Sequence, residues 1–377
     1  MFDLKTTYKL SKGILMKRNP IYVQFYITAR CNLTCQQCNI IYSNADLEEC
    51  NLDKIKSIAE NLKKIGVAFI LLTGGEPYMR KDLPQIIKIF TDNEIHVRMQ
   101  TNGFAHEEKI CESIENGGRD ISISLDSLKF EVQDKINGGF KNTWHKAIEA
   151  ACTYTKYLPK DNSFASFGCV LQPDNIKEIL NIIKFSTQID WYTSLVPIHT
   201  TSLDNPMGFR TFDKFLYTDS QKHYLKELIS QIEKLKKNKM LIYDSKQYLE
   251  DVIRFSLGEK TTWRSKNDNV CDSPNLYFAI LPNGSFAPCC DHRIKNSINV
   301  YDKDFPKIYK SSEFKNRVIN KVSSCEGCMY GSYPEITISS RFLSAQIQRF
   351  NTFFISKKKK SWPLNYEKVF SLANSFN

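Results

Sequence analysis

A chain of 377 residues, 42% of them hydrophobic, has room for one large α/β domain of about 200–250 residues and a smaller module. The net charge of +11 is uneven: residues 341–377 hold seven Lys/Arg against one acid, so the body is only mildly basic and lacks the broad basic face of a nucleic-acid reader. With neither a signal segment nor an apolar run of the ~18 residues that span a bilayer, the chain reads as cytoplasmic, and twelve cysteines there point to metal ligation rather than disulfides.

Residues 1–19 read as a short basic lead-in. Six strand-like runs follow, at 21–28, 67–73, 95–101, 120–125, 164–171 and 191–197. Between them lie helical patterns at 52–64, 83–90, 107–114, 144–157 and 175–185. Such alternation predicts βα units and parallel strands. Six units rather than eight predict an open, partial (β/α)6 TIM-like barrel over 20–217, with its active site at the C-terminal ends of the strands. On the first strand Tyr22, Gln24 and Tyr26 alternate with Val23, Phe25 and Ile27, so the polar face either lines a substrate cavity or is a solvated edge.

A polar, turn-rich stretch at 200–219 leads into a helical linker, 218–270, with helices at 221–237 and 248–255. A small cysteine-rich α+β module is expected over 271–335 and a basic tail over 336–377. In the tail, Phe342, Leu343, Ile347, Phe350 and Phe354 share a helical stripe before Lys357–Lys360. An amphipathic helix with a lysine cluster suits an anionic membrane surface; we expect instead that the stripe packs on the body and the lysines are solvated.

Chemistry concentrates first in the loop after the first strand, where Cys31, Cys35 and Cys38 are spaced C-x3-C-x2-C. Three close thiolates can hold one face of a [4Fe–4S] cube and leave the fourth iron open. A zinc site is the alternative, but zinc usually takes four protein ligands and no His or further Cys lies in the loop. The second strand ends in Gly74-Gly75-Glu76-Pro77, which suits either close backbone approach to a ligand or a plain strand-ending turn. Thr101 and Asn102 end the third strand; Ser124 and Asp126 end the fourth, where Asp126 and Ser127 could also cap a helix. His199 follows the sixth, as a structural or a substrate-facing residue. In the module, Asn283-Gly284 between apolar runs predicts a hairpin that returns Cys289 and Cys290 toward Cys271, and Cys325 and Cys328 form a C-x2-C bite.

Together these motifs resemble the radical SAM superfamily with a C-terminal SPASM/twitch extension. Gly74 lies 36 residues after Cys38, across one helix, where that family carries the motif for the amino group of S-adenosylmethionine. The resemblance implies that Cys31, Cys35 and Cys38 hold the cofactor-cleaving [4Fe–4S] cluster. It implies that Gly74, Gly75, Glu76, Pro77, Thr101, Asn102, Ser124 and Asp126 contact S-adenosylmethionine. Gln37 departs from the pattern, which usually has an aromatic residue there. With no cysteine after Cys328, the shorter twitch form is expected: one auxiliary [4Fe–4S] cluster on Cys271, Cys289, Cys325 and Cys328, with zinc as the rival. Cys290 would be a substitute ligand, an inert thiol or a hydrogen donor; Cys169 is the other thiol near a strand end.

The function implied is reductive cleavage of S-adenosylmethionine and hydrogen abstraction from a small polar substrate, sugar- or aminocyclitol-like, giving oxidation or epimerisation. A flavodoxin- or ferredoxin-type protein would donate the electron, and no nucleic acid would be bound. Modification of a ribosomally made peptide is the alternative, although fewer than twenty residues precede the barrel as a place for a leader-binding domain. A non-catalytic iron–sulfur or zinc protein is the reading from another class.

Overall fold

The computed structural model describes residues 4–17, 19–38, 40–161, 163–199, 215–265, 271–323, 325, 327–352 and 360–376. Most of the turn-rich stretch at 200–219, Phe354 and Lys357–Lys359 lie outside the described residues. In chain order the elements are α1 (Leu4–Met16), β1 (Tyr22–Thr28), α2 (Ile40–Ser43), α3 (Leu52–Ile65), β2 (Phe69–Gly74), α4 (Leu83–Asp92), β3 (His96–Thr101) and α5 (Glu107–Glu115). Next come β4 (Asp120–Ser124), α6 (Phe130–Ile136), α7 (Thr143–Tyr157), β5 (Phe164–Leu171), α8 (Ile179–Gln188), β6 (Tyr192–Pro197), α9 (Asp219–Lys237), α10 (Lys246–Ser256) and α11 (Thr262–Ser265). The C-terminal third holds β7 (Tyr277–Ile280), β8 (Phe286–Ala287), α12 (Phe305–Lys310), α13 (Ser312–Val322), α14 (Ser332–Arg341), α15 (Leu343–Phe350) and α16 (Tyr366–Asn374).

The strands form one sheet in the order β6-β5-β4-β3-β2-β1-β7-β8. Neighbours pair in parallel from β6 to β7, and β8 returns antiparallel to β7. Side-chain alternation sorts the two faces. Val23, Phe25, Ile70, Leu72, Ile121 and Phe167 point outward into the helical layer and are buried there. Tyr22, Gln24, Tyr26, Arg98, Gln100, Ser122 and Ser166 point inward and line a central cavity. Of the two accounts of the first strand's polar face, the structure therefore selects the cavity wall.

Helix α3 shows how local signals serve that arrangement. Asn51 caps it by accepting from the Lys54 amide, an interaction worth about 1 kcal/mol, and Gly66 ends it at φ 89°. Ile55, Ile58, Leu62 and Ile65 face the sheet and contribute about 1.5–3 kcal/mol each by burial. On its other side Asn61 donates to the carbonyls of Val300 and Asp302, at 2.9 Å each, which fastens the cysteine-rich module to the barrel's helical layer.

Beyond β6 the backbone of 241–243 runs alongside the strand: Thr193 donates to the Leu241 carbonyl and Tyr243 donates to that of Thr193, both at 2.9 Å. The Asp244 carboxylate then accepts from the Leu195 amide at 2.7 Å and so completes the edge. Helix α14 spans the remaining gap. Tyr333 packs edge-on to Tyr22 and against Tyr277 on one side, and Glu335 accepts from Ser245 on the other. The boundary expected at 335/336 falls inside this helix.

One expectation is filled in and two are corrected. The lead-in is helical: α1 packs Leu10 and Ile14 into the cluster around Tyr22 and Phe69. The helix expected from residue 175 starts at Ile179, because the Asn175 side chain is engaged with the backbone of Val170 and Asp126. The apolar stripe of the tail packs only in part: Phe342 packs against the core, whereas Leu343, Ile347 and Phe350 on α15 are 70, 51 and 53% exposed. The last described residues do pack. Lys360 donates to the Ser163 carbonyl at 2.7 Å, Trp362 is buried, and Phe370 of α16 stacks near Phe130 and Trp144 of the barrel's outer layer.

Candidate functional site

The cysteine loop leaves β1 and is gripped on both sides by backbone. On one side Gly75 donates to the Thr28 carbonyl and Glu76 to that of Arg30, both at 2.9 Å. A Cβ at Gly74 would stand 2.2 Å from Thr28 O, and one at Gly75 2.1 Å from Arg30 O, so only glycine permits this approach. On the other side the Gln36 amide donates to the Ile136 carbonyl at 3.0 Å, and Cys35 Sγ lies 3.4 Å from Asn137 Oδ1. Gly138, at φ 89°, lets this second clamp close on Thr34.

Between the clamps Cys31, Cys35 and Cys38 all line the central cavity, which has a volume of ≈ 730 Å³. Burial, with smaller contributions from Glu76 and Cys38, pushes the Cys31 thiol up to about 11. Burial and then Cys38 push Cys35 still higher. Thiols in this state become thiolates only when a positive group compensates, and three of them on one loop beside an open cavity are a donor set that fits an iron–sulfur cluster.

The strand-end residues divide into two groups. Gly74, Gly75, Thr101, Asn102, Ser124 and Asp126 line the cavity; Glu76 and Pro77 lie behind its wall. Glu76 accepts from Thr101 Oγ1 at 2.8 Å, the Tyr78 amide at 3.1 Å and the Asn102 amide at 2.7 Å, so it staples the ends of β2 and β3 together. Burial raises its carboxyl to about 7 against those three hydrogen bonds. Pro77 opens a single 3-10 turn, Pro77–Met79. Asn102 donates to Asn32 Oδ1 at 2.9 Å and faces Cys31 Sγ at 3.9 Å, linking β3 to the loop. Asp126 accepts from the Val170 amide at 2.6 Å and from Gln37 Nε2 at 3.3 Å; burial raises it also to about 7.

In the cysteine-rich module the hairpin turns at Gly284, φ 84°, and brings Cys289 back toward Cys271. Burial is the main cause of the high pKa values of Cys271, Cys289 and Cys328, and these thiols, with Cys325, stand near enough for their charges to oppose one another. The hairpin and the C-x2-C segment thus bring these cysteines into one neighbourhood, though not into a closed metal-ligating group among the described residues. Cys290 is close to Cys289 and Cys328 as well, and it also lines the central cavity beside Tyr26.

Against known families, residues 25–186 match the Radical SAM superfamily and residues 271–329 match the SPASM iron–sulfur cluster-binding domain. The chain carries a radical SAM domain followed by a SPASM domain. A [4Fe–4S] cluster with S-adenosylmethionine, and auxiliary iron–sulfur ligation, belong to these domains. The probable GTP 3′,8-cyclase of Archaeoglobus fulgidus is 36% identical over 135 residues, 34% of this chain and 45% of that protein. The PqqA peptide cyclase of Bradyrhizobium diazoefficiens is 27% identical over 173 residues, 45% of this chain and 44% of that one. The chain spans about half the length of such curated relatives. In fold it is similar to Streptococcus suis SuiB bound to precursor peptide SuiA: TM-score 0.61 at 16% identity, over 88% of this chain and 75% of that one.

Two residues connect the radical SAM and SPASM domains at the cavity. His199, after β6, stacks on Tyr330 with ring centroids 3.6 Å apart, and its Nε2 accepts from the Met329 amide at 3.1 Å. That ring nitrogen is therefore spent on seating the segment that follows Cys328 in the SPASM domain. Tyr330 in turn donates to Asp291 at 3.1 Å, beside Cys290. Sequence reasoning passed over Asn137, Glu178 and Glu335. Glu178 accepts from Ser127 Oγ at 2.8 Å and from the Leu128 amide at 3.0 Å, so Ser127 is held to the barrel wall. Asn137-Gly138-Gly139 after an amphipathic run was the available signal for the second clamp. Nothing local announces Glu178 or Glu335. Cys169 is buried, with its Sγ 3.7 Å from Asn175 Nδ2; Cys50 and Cys152 are buried as well, and Cys111 is half-exposed beside Glu115. No helix among the described residues is long and apolar enough to cross a membrane.

Proposed function

We propose that the protein is a radical SAM enzyme in which Cys31, Cys35 and Cys38 hold the [4Fe–4S] cluster that binds S-adenosylmethionine. When bound, these groups supply a 5′-deoxyadenosyl radical that takes a hydrogen atom from the substrate. The observation that carries the reading is the convergence of the three cysteines and the ends of β2, β3 and β4 on one cavity. The chain's own residues place the cofactor. The Gly74–Gly75 backbone lies along the loop stem with no side chains in the way. Asn102 and Ser124 offer an amide and a hydroxyl from the wall, and the Asp126 carboxyl reaches the same space through Gln37. Glu76 is a positioning residue that holds Asn102 in place rather than an open acceptor for the cofactor's amino group.

A flavodoxin- or ferredoxin-type protein donates the electron, and Cys271, Cys289, Cys325 and Cys328 hold one auxiliary cluster. The substrate is small and polar, sugar- or aminocyclitol-like, because hydroxyl and amide side chains line the cavity at Gln24, Gln100, Ser122, Ser166 and Ser194. Cys290 lies in the cavity wall, beside the auxiliary thiols Cys289 and Cys328, where it can return a hydrogen atom and so favour epimerisation over oxidation. The exposed apolar residues of α15 next to the cavity favour a second reading, modification of a peptide. The PqqA peptide cyclase among the relatives and the peptide-bound SuiB structure accord with it.

The test is anaerobic reconstitution with iron and sulfide, then dithionite and S-adenosylmethionine. The reading expects 5′-deoxyadenosine above a Cys31→Ala/Cys35→Ala/Cys38→Ala control and about eight irons per chain. No excess over that control would remove the enzyme reading; about four irons would remove the auxiliary cluster.

A further inference from the structure

The wall that α14 contributes to the cavity holds two polar atoms that make no hydrogen bond among the described residues. Glu335 and Ser339 stand one turn apart on this helix, both line the cavity, and they are 4% and 8% exposed. Glu335 Oε2 accepts from the Ser245 amide and hydroxyl at 3.2 Å each. Glu335 Oε1 and Ser339 Oγ are buried with no hydrogen-bond partner among the described residues. A buried carboxylate oxygen without a donor is costly, and native structures seldom keep one unless something else fills the place.

A second carboxylate adds to the demand. Asp244 lines the same wall, and among the described residues its carboxylate accepts only from Ser194 Oγ and the Leu195 amide, both uncharged. Burial first, then the charge of Glu335, raises its carboxyl to about 7. Of the two cations nearby, Lys236 is turned to another oxygen, and Arg349 reaches Glu335 only as a long ion pair without a hydrogen bond. Arg349 donates through its two Nη atoms to the carbonyl and hydroxyl of Tyr243, leaving Nε 3.8 Å from Glu335 Oε1. Lys236 donates to the Asp244 main-chain carbonyl. A hydroxyl arriving here would satisfy one oxygen and leave the like charges facing each other. An ammonium brings three donors and a positive charge to the same point.

We propose that Glu335 and Ser339 form a subsite for a protonated amine carried by the substrate. The proposal rests on the reading of the cavity as the substrate site and names the group that the site reads. An aminated sugar or cyclitol and the side chain of a lysine in a peptide share this chemistry.

The test uses the reconstituted protein with S-adenosylmethionine, dialysed to equilibrium against radiolabelled probes. The small probes are glucosamine and glucose; the peptide probes are acetyl-Gly-Lys-Gly-amide and the same tripeptide with norleucine for lysine. At least one amine should bind roughly tenfold or more tightly than its uncharged counterpart. That preference should vanish in Glu335→Gln and fall in Ser339→Ala, which leaves the Ser245 contacts of Glu335 intact and so separates recognition from folding. Preference in the sugar pair assigns the amine to a small substrate, and preference in the peptide pair assigns it to a peptide. Equal binding of amine and neutral probe in both pairs, or a preference that survives Glu335→Gln, overturns the proposal. Formation of 5′-deoxyadenosine by the same preparation tests the enzyme reading separately, since the dialysis needs no turnover.

Discussion

Gly75→Ala is expected to loosen the cysteine loop by steric pressure alone. Gly75 is absent from the left-handed residues, so alanine has no torsional objection to its backbone. The new methyl group would meet Arg30 O at 2.1 Å, its carbonyl carbon at 2.6 Å and Ala29 O at 2.8 Å, all main-chain atoms that cannot rotate away. Relief requires the two segments to part, and parting stretches the hydrogen bonds Gly75 N to Thr28 O and Glu76 N to Arg30 O. Overpacking of this kind costs about 1–3 kcal/mol. Two weakened hydrogen bonds add roughly 0.5–1.5 kcal/mol each. With partial relaxation a total of about 2–4 kcal/mol follows, or about 2.5–5 °C in melting temperature for a chain of this length. Gly139→Ala is the control: a Cβ there meets nothing within 4 Å, but φ is 82°, so only the backbone cost of about 1 kcal/mol applies. Circular-dichroism melts and iron analysis of both reconstituted variants check the reasoning. Gly75→Ala should melt well below Gly139→Ala and retain less iron. A Gly75→Ala protein that melts within a degree of wild type with its full iron would refute the clamp.

Asp244→Asn keeps an acceptor for the Leu195 amide and removes a buried charge. Because the folded-state pKa of Asp244 is raised to about 7, the native chain binds a proton that the unfolded chain gives up, so this group's contribution to stability falls as pH rises from about 4 to 7. The variant should therefore gain on wild type across that window, and melting curves from pH 5 to 8 will show it. Cys290→Ala should leave the iron content unchanged, whereas Cys289→Ala should lower it by about four irons per chain; elemental analysis distinguishes them. Trp362→Ala removes a buried indole that donates to the Ile189 carbonyl at 3.2 Å, and should cost about 3–5 kcal/mol in a denaturant titration.

The barrel was legible because its outward face obeys one rule. Phe164–Leu171 is bounded alike in sequence and structure, since both faces of that strand are buried and the whole run stays apolar or small. The cysteine loop was legible for a different reason: metal ligation sets residue spacing along the chain. What could not be read is what each polar group is bonded to. Glu76 looks like an open acceptor in a strand-end motif, yet three donors from β3 and its own turn occupy it. Helix α14 was missed because its buried face carries Glu335, Thr337 and Ser339, which contradicts the apolar-in pattern by which helices are found. The helical character of α1 and the exposure of α15 depend on the cavity between them, which no local window contains.

The pairing of β7 with β1 means that the seam between the radical SAM and SPASM domains is a hydrogen-bond ladder, not a linker. Tyr22 to Phe25 stand in register with Tyr277 to Ile280, so the first strand of the barrel has neighbours on both sides only while the cysteine-rich module is docked. A barrel released from that module would present the unpaired backbone of β1 as a flat, apolar edge, ready to recruit another chain. Exchange of such modules between related enzymes is therefore a problem of strand register before it is one of cluster chemistry.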